Sequence, residues 1–175
     1  MLHIKCHNSI IAPFYRFQNQ FSGTYIMQLT RFTDFGLRTL IYLTGIQDGG
    51  TVTIKEIATQ FDLPQNHLNK IVSRLSKLGW VIATPGRNGG VRLAVPASSL
   101  LLGDMIRVLE GHPSLIDCEN PLCALKGNCH LKRLIDLGLQ DFFIAMNQYC
   151  LADLAMQPTA GVIARMHFQS SKAVH

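Results

Sequence analysis

Residues 51–95 read TVTIKEIATQFDLPQNHLNKIVSRLSKLGWVIATPGRNGGVRLAV, and this stretch decides the fold. Thr53 and Glu56 form a T-x-x-E capping signal that starts a helix at about Ile54. Asp62-Leu63-Pro64 interrupts that helix, and Pro64 suits the first turn of a second one. Leu68, Ile71, Val72, Leu75 and Leu78 then make one apolar stripe, and Gly79 stands where a terminating glycine belongs. Two helices around a tight turn are a helix-turn-helix, here over about residues 54–77. Two β-prone runs follow around Pro-Gly-Arg-Asn-Gly-Gly, the signature of a hairpin. A helix-turn-helix followed directly by a hairpin is a winged helix. The fold class expected is mostly α with a small β-hairpin wing.

The polar face of the second helix carries Gln65, Asn66, His67, Asn69, Lys70, Ser73 and Arg74. These side chains suit base edges and phosphates, although on an isolated helix such a face is more often only solvated. The wing changes that balance. Arg87 sits at the hairpin tip between glycines, where the backbone can approach a duplex and an arginine can enter a minor groove. Residues 51–95 hold six basic against two acidic side chains, a net +4 of the chain's +5. Charge gathered on one module is what phosphate binding requires, so double-stranded DNA is the expected partner.

Upstream, Leu37, Leu40, Ile41 and Thr44 follow the spacing of an amphipathic helix, with Asp34 in its first turn. Asp48-Gly49-Gly50 ends that element as a turn. Downstream, Ser98 or Ser99 is placed to cap a helix that ends at Gly111. A longer helix carries Leu131, Leu134, Ile135, Leu139, Phe142, Phe143, Met146 and Tyr149 at helical spacing. A stripe that wide outside the winged module suits a partner subunit, and a twofold dimer matches palindromic DNA. Cys150 continues the stripe and reads as a core cysteine. The organisation expected is an extension over 1–26, disordered or preceding the true start. The DNA-binding domain follows over 27–98, a thiol loop with dimerisation helices over 99–155, and a tail over 156–175.

Hydrophobic residues make up 47% of the chain and charged residues 15%, a folding composition. No apolar run is long enough to span a bilayer, and the first residues do not form a secretory signal. A cytoplasmic location with reduced thiols is therefore expected.

Residues 118–129 read CENPLCALKGNC, a C-x4-C-x5-C cluster holding three of the five cysteines. Pro121, Gly127 and Asn128 let the backbone curl and present sulfurs inward. Clustered thiolates in a reducing compartment favour a metal centre over disulfides. Zinc and iron–sulfur both stay open on spacing, with iron–sulfur favoured, because either needs a fourth ligand from elsewhere. His130 follows Cys129 directly on a helix and points elsewhere. A small electron carrier is a weaker alternative, since ferredoxin-like carriers usually show four cysteines and need no wing.

MQLTRFTDFGLR, IKEIATQFDLPQNHLNKIVSRLSKLGWV, GRNGGVRLA and CENPLCALKGNC, in that order, resemble the Rrf2 family of winged-helix regulators over roughly residues 27–155. Within the family the resemblance is greatest to the nitric-oxide-sensitive repressors. It implies a non-enzymatic, homodimeric repressor with the long helix as its interface. Cys118, Cys123 and Cys129 would then hold an iron–sulfur cluster, 2Fe-2S or 4Fe-4S. In the family's iron–sulfur-assembly regulator a histidine three residues after the last cysteine is a ligand; here that place is Lys132, which cannot ligate while charged. In the nitric-oxide-sensing group an aspartate from the other subunit can complete the cluster, and Asp34 holds the matching place. Its alternative role is to stabilise the helix dipole. The resemblance implies that nitrosylation of the cluster releases genes for nitrosative stress. The alternative is another regulator of the family, for iron–sulfur homeostasis or redox state.

Overall fold

A computed structural model of the chain describes residues 28–46, 50–86, 89–111 and 114–172. The chain runs α1 (Arg31–Leu43), α2 (Ile54–Phe61), α3 (Gln65–Lys77), β1 (Val81–Thr84), β2 (Gly90–Leu93), a 3-10 turn (Ala97–Ser99), α4 (Leu102–Glu110), α5 (His130–Met146), α6 (Leu151–Leu154) and α7 (Thr159–Lys172). No described helix is long and apolar enough to cross a membrane. The extension over 1–26, the wing-tip Arg87 and most of the Asp48-Gly49-Gly50 turn lie outside the described residues.

The helix-turn-helix forms as its local signals dictate. Thr53 Oγ1 accepts the backbone N–H of Glu56 at 3.1 Å. Only half of the capping box closes, because the Glu56 carboxylate instead accepts the Tyr42 hydroxyl of α1 at 2.7 Å. Asp62 ends α2 in the left-handed region with φ 51°, a conformation that Asp tolerates better than most side chains. Pro64 is the residue before α3 rather than inside it. At the far end Gly79 takes φ +73°, and Trp80 N–H reaches back to the Leu75 carbonyl at 3.0 Å.

β1 and β2 pair antiparallel, Val81 with Leu93 through Thr84 with Gly90. Val52, just ahead of α2, adds a bridge to Val91, with N–H···O distances of 3.1 and 2.7 Å in the two directions. This ties the base of the wing to the helix-turn-helix. Gly90 is required there, since a Cβ would stand 2.6 Å from Thr51 Oγ1.

Leu40, Tyr42, Leu43, Ile57, Leu68, Ile71, Leu75, Val91, Met105 and Leu151 build one core that joins the winged module to α4 and α6. The buried face of α1 differs from the apolar stripe. Thr33, Gly36, Thr39, Leu40, Tyr42 and Leu43 are buried, while Leu37, Ile41 and Thr44 are half-buried. Gly36 faces α4, where an added Cβ would lie 3.0 Å from Leu109. Thr39 is accommodated because its hydroxyl donates to the Phe35 carbonyl at 2.8 Å.

Three expectations are corrected. Neither Ser98 nor Ser99 caps α4; Ser99 closes the 3-10 turn, and α4 begins after Leu101. The cap comes from α5 instead, where Asn147 Oδ1 accepts the Asp104 N–H at 2.9 Å. Cys150 is a half-buried helix cap, with its thiol donating to Asp153 Oδ2 at 3.1 Å. Residues 159–172, inside the segment expected as a tail, are the helix α7. There Ile163 is buried, and the His167 ring stacks on Tyr42 at 4.1 Å between centroids. Gln60 donates to Ser170 Oγ at 2.7 Å, fastening α7 to α2.

Candidate functional site

Two surfaces carry chemistry, the face of α3 and the cysteine loop that leads into α5. On α3, Leu68, Ile71, Val72 and Leu75 are buried. Gln65, Asn66, His67, Asn69, Lys70, Ser73 and Arg74 are all exposed. Lys70 and Arg74 have no ion-pair partner among the described residues. The start of α3 has no side-chain cap.

The cysteine loop is built from turns. Asp117 Oδ1 accepts the N–H groups of Glu119 and Asn120 at 2.7 and 3.2 Å. Cys123 N–H donates to the Cys118 carbonyl at 3.1 Å, and Gly127 takes φ +91°. Cys129 is the N-cap of α5, with its Sγ accepting the Lys132 N–H at 3.4 Å. Cys118, Cys123, Cys129 and Cys150 are all free thiols. Cys118 is buried, and that burial pushes its thiol up from its ordinary value; Cys123 adds to the shift and Lys132 opposes it.

Cys118 and Cys129 line one cavity of about 440 Å³ with Lys126, Lys132, Arg133 and Asp136. Cys123 is not on its wall. Among the described residues no three His, Cys, Asp or Glu side chains converge as a metal centre. Cys118 and Cys129 lie among cationic neighbours, with Cys129 at the positive end of the α5 dipole, while Cys123 stands off the cavity. His130 is exposed, and Lys132 is tied to Asp136 by contacts of 2.7 and 2.9 Å.

Asp34 stands apart from these thiols. Within one chain it pairs with Arg38 on α1, Oδ1 to Nε at 2.8 Å, and no described cysteine joins it. α5 packs on α4 through Phe143, with the Arg107 guanidinium 4.7 Å over the ring. Its other face is bare: Leu131, Leu134 and Ile144 are 62, 53 and 53% exposed. Tyr149 lies beyond the helix, where its carbonyl accepts the Leu102 N–H at 2.9 Å.

The profile of the Rrf2 family, described as iron-dependent transcriptional regulator, matches residues 29–157. The chain belongs to the Rrf2 family. It is a transcription regulator with a winged helix-turn-helix and not an enzyme. Its fold is similar to that of CymR (YrzC), the global cysteine regulator of B. subtilis. The identity is 27% and the TM-score 0.60, over 74% of this chain and 97% of that one. Staphylococcus aureus CymR matches at 26% identity and TM-score 0.57, over 72% and 96% of the two chains. T. potens IscR matches at 25% identity and TM-score 0.60, over 75% and 88%. α7 begins beyond the residues that the family profile covers.

Proposed function

We propose that this Rrf2 regulator is a cytoplasmic, homodimeric repressor of the NsrR type, which holds an iron–sulfur cluster and releases DNA when nitric oxide reaches it. The observation that carries the reading is the placement of the C-x4-C-x5-C loop. Its last thiol is itself the N-cap of α5, so any change at the sulfurs acts on the first turn of that helix.

Cys118, Cys123 and Cys129 would hold the cluster, 2Fe-2S or 4Fe-4S, with the partner's Asp34 as fourth ligand. When bound, the cluster supplies iron that nitric oxide can attack. The chain's own residues do the rest. Cys129 ties the loop to α5, Asn147 and Phe143 tie α5 to α4, and Leu109 of α4 lies against Gly36 of α1. Freeing the loop removes a cap from α5 and shifts a two-state element that sets the spacing of two DNA heads. The bare Leu131, Leu134 and Ile144 face supports a second copy as the occupant, since exposed leucines at this density mark an interface.

The α3 face reads a palindromic operator through successive major grooves, and Arg87 enters a flanking minor groove. Mobility shifts with operator fragments test this. Holo-protein binds, nitric oxide abolishes binding, and Cys118→Ser is insensitive to the gas. Wild-type binding that is unchanged by nitric oxide overturns the reading. A second reading, a regulator of iron–sulfur homeostasis or redox state, is supported by the similarity to IscR. It predicts release by cluster loss or oxidants with no preference for nitric oxide.

A further inference from the structure

α7 is seated on the winged module by contacts of several kinds. Ile163 is buried, and the His167 ring stacks on Tyr42 with 4.1 Å between centroids and 20° between planes. His167 Nε2 lies 3.1 Å from the Tyr42 carbonyl oxygen, which can only accept, so Nε2 carries the hydrogen and donates. On α2, Gln60 donates to Ser170 Oγ at 2.7 Å. Room for the helix is made at Gly45, where an added Cβ would run into Ile163 and stand 2.9 Å from the His167 ring.

Three helices meet at Tyr42. It is fully buried on α1, its ring lies against His167 of α7, and its hydroxyl donates to Glu56 Oε1 of α2 at 2.7 Å. His167 Nδ1 stands 4.0 Å from the same carboxylate oxygen. Towards the start of α1 the neighbour is α3. A Cβ on Gly36 would lie 3.8 Å from Ile71 Cγ2, and the Phe35 ring centroid is 6.5 Å from that of His67 on the exposed α3 face. α1 is one unbroken helix over Arg31–Leu43, so what holds it at Tyr42 also holds the end that bears on α3. A helix that only enlarged the core would need neither the polar ties nor the cleared space at Gly45. The family profile ends at residue 157, before α7 begins.

We infer that α7 is a clasp that holds α1 against α2 and so sets the angle at which α3 meets DNA, with His167 as its positioning residue. The inference rests on the α3 face meeting DNA, and on nothing at the cysteine loop. His167 acts through Tyr42 and α1. Loosening the clasp leaves Lys70 and Arg74 in place as charges, so the sequence-independent, phosphate-driven part of binding persists. Hydrogen bonds to base edges need donors and acceptors within a few tenths of an ångström of their places, so the sequence-specific part is lost. Loss of folded protein would instead lower both parts together.

The test is a ratio of two dissociation constants, measured at one salt concentration on anaerobically purified full-length protein. One is for a duplex that the wild type selects from a randomised library, the other for the unselected library. Far-ultraviolet circular dichroism confirms the helix content. His167→Ala is expected to weaken binding to the selected duplex about tenfold, as for a residue coupled to a ligand it does not touch, and to leave library binding unchanged. Gly45→Ala, which pushes α7 away from α1, is expected to do the same. His167→Phe keeps the ring on Tyr42 and loses the hydrogen bond, so it falls between wild type and His167→Ala. Gln60→Ala cuts only the tie to Ser170 and moves the ratio in the same direction by a smaller factor, which keeps the inference open to refutation should His167→Ala lose helix content. An unchanged ratio in the folded variants, or equal weakening on both DNAs, overturns the inference and leaves the DNA reading of α3 standing. A wild-type protein that selects no duplex removes the DNA reading, and the inference with it.

Discussion

Asn147, at the end of α5, caps the start of α4: its Oδ1 accepts the Asp104 backbone N–H at 2.9 Å, and its Nδ2 donates to Asp104 Oδ1 at 3.0 Å. The start of α4 and the end of α5, the two helices that flank the cysteine loop, are thereby fastened to each other. Removing the side chain by Asn147→Ala leaves an orphan N–H at a helix start. Loss of about 1 kcal/mol is expected from urea unfolding, as for a deleted N-cap. Asn147→Asp keeps the acceptor but sets a second carboxylate against Asp104, so it too falls below wild type. Stability unchanged in both variants would show that the contact carries no weight.

Gly103 lets α4 lie close against the end of α5. A Cβ there would run into the Phe143 carbonyl oxygen and stand 2.6 Å from Asn147 Oδ1. Gly103→Ala should cost about 1–3 kcal/mol through overpacking, against the helix-propensity gain of about 1 kcal/mol that alanine brings elsewhere. Gly138, on α5, has no atom within 4 Å of an added Cβ among the described residues. Gly138→Ala should therefore leave the isolated subunit intact. The two variants are compared by thermal unfolding.

Lys70 and Arg74 are predicted to bind phosphate or base edges. Each alanine variant should weaken operator binding and flatten the salt dependence by about 0.9 in log–log slope for every phosphate left without its cation. Arg87→Ala should weaken binding at fixed salt. Lys126 is paired with Glu119 at 2.8 Å on the cysteine loop, so Lys126→Ala should change operator affinity little. Wild-type affinity in Arg87→Ala would remove the wing from the DNA interface.

Asp34 can be separated from its local role. Its bond to Arg38 is an exposed pair on one helix face, which contributes only about 0.3–0.5 kcal/mol. Asp34→Ala should thus barely move the thermal midpoint while altering the cluster spectrum or its rate of reaction with nitric oxide. An unchanged spectrum and rate would confine Asp34 to helix stabilisation.

The winged module is legible in the sequence because its signals are local. Thr53, Pro64 and Gly79 each act within a few residues: Thr53 and Gly79 stand where expected, Pro64 is the N-cap residue of α3, one place earlier, and the two strands flanking the Pro-Gly to Gly-Gly stretch pair as a hairpin. What escapes is non-local. Thr33, Gly36 and Thr39 are buried on α1, yet none counts as apolar, so the apolar stripe follows half-buried Leu37 and Ile41 instead. Ser99 is a good cap by type, but Asn147, 43 residues from Asp104, takes that place. α7 carries a weak periodic signal, and it is the stacking of His167 on Tyr42 and the burial of Ile163 that hold it. Of the site, residue types and spacing disclose the thiols and the α3 face. The tie from Cys129 to Lys132 and on to Asp136 needs the geometry of the first turns of α5.

The central claim is that Cys118, Cys123 and Cys129 hold an iron–sulfur cluster that answers nitric oxide. Absorption and Mössbauer spectra of anaerobically purified protein, taken before and after a measured dose of nitric oxide, test it most directly. The account predicts a brown protein with sulfur-coordinated iron, whose spectrum changes on adding the gas and which loses its iron signal in Cys118→Ser. A colourless protein with one zinc per chain would contradict it.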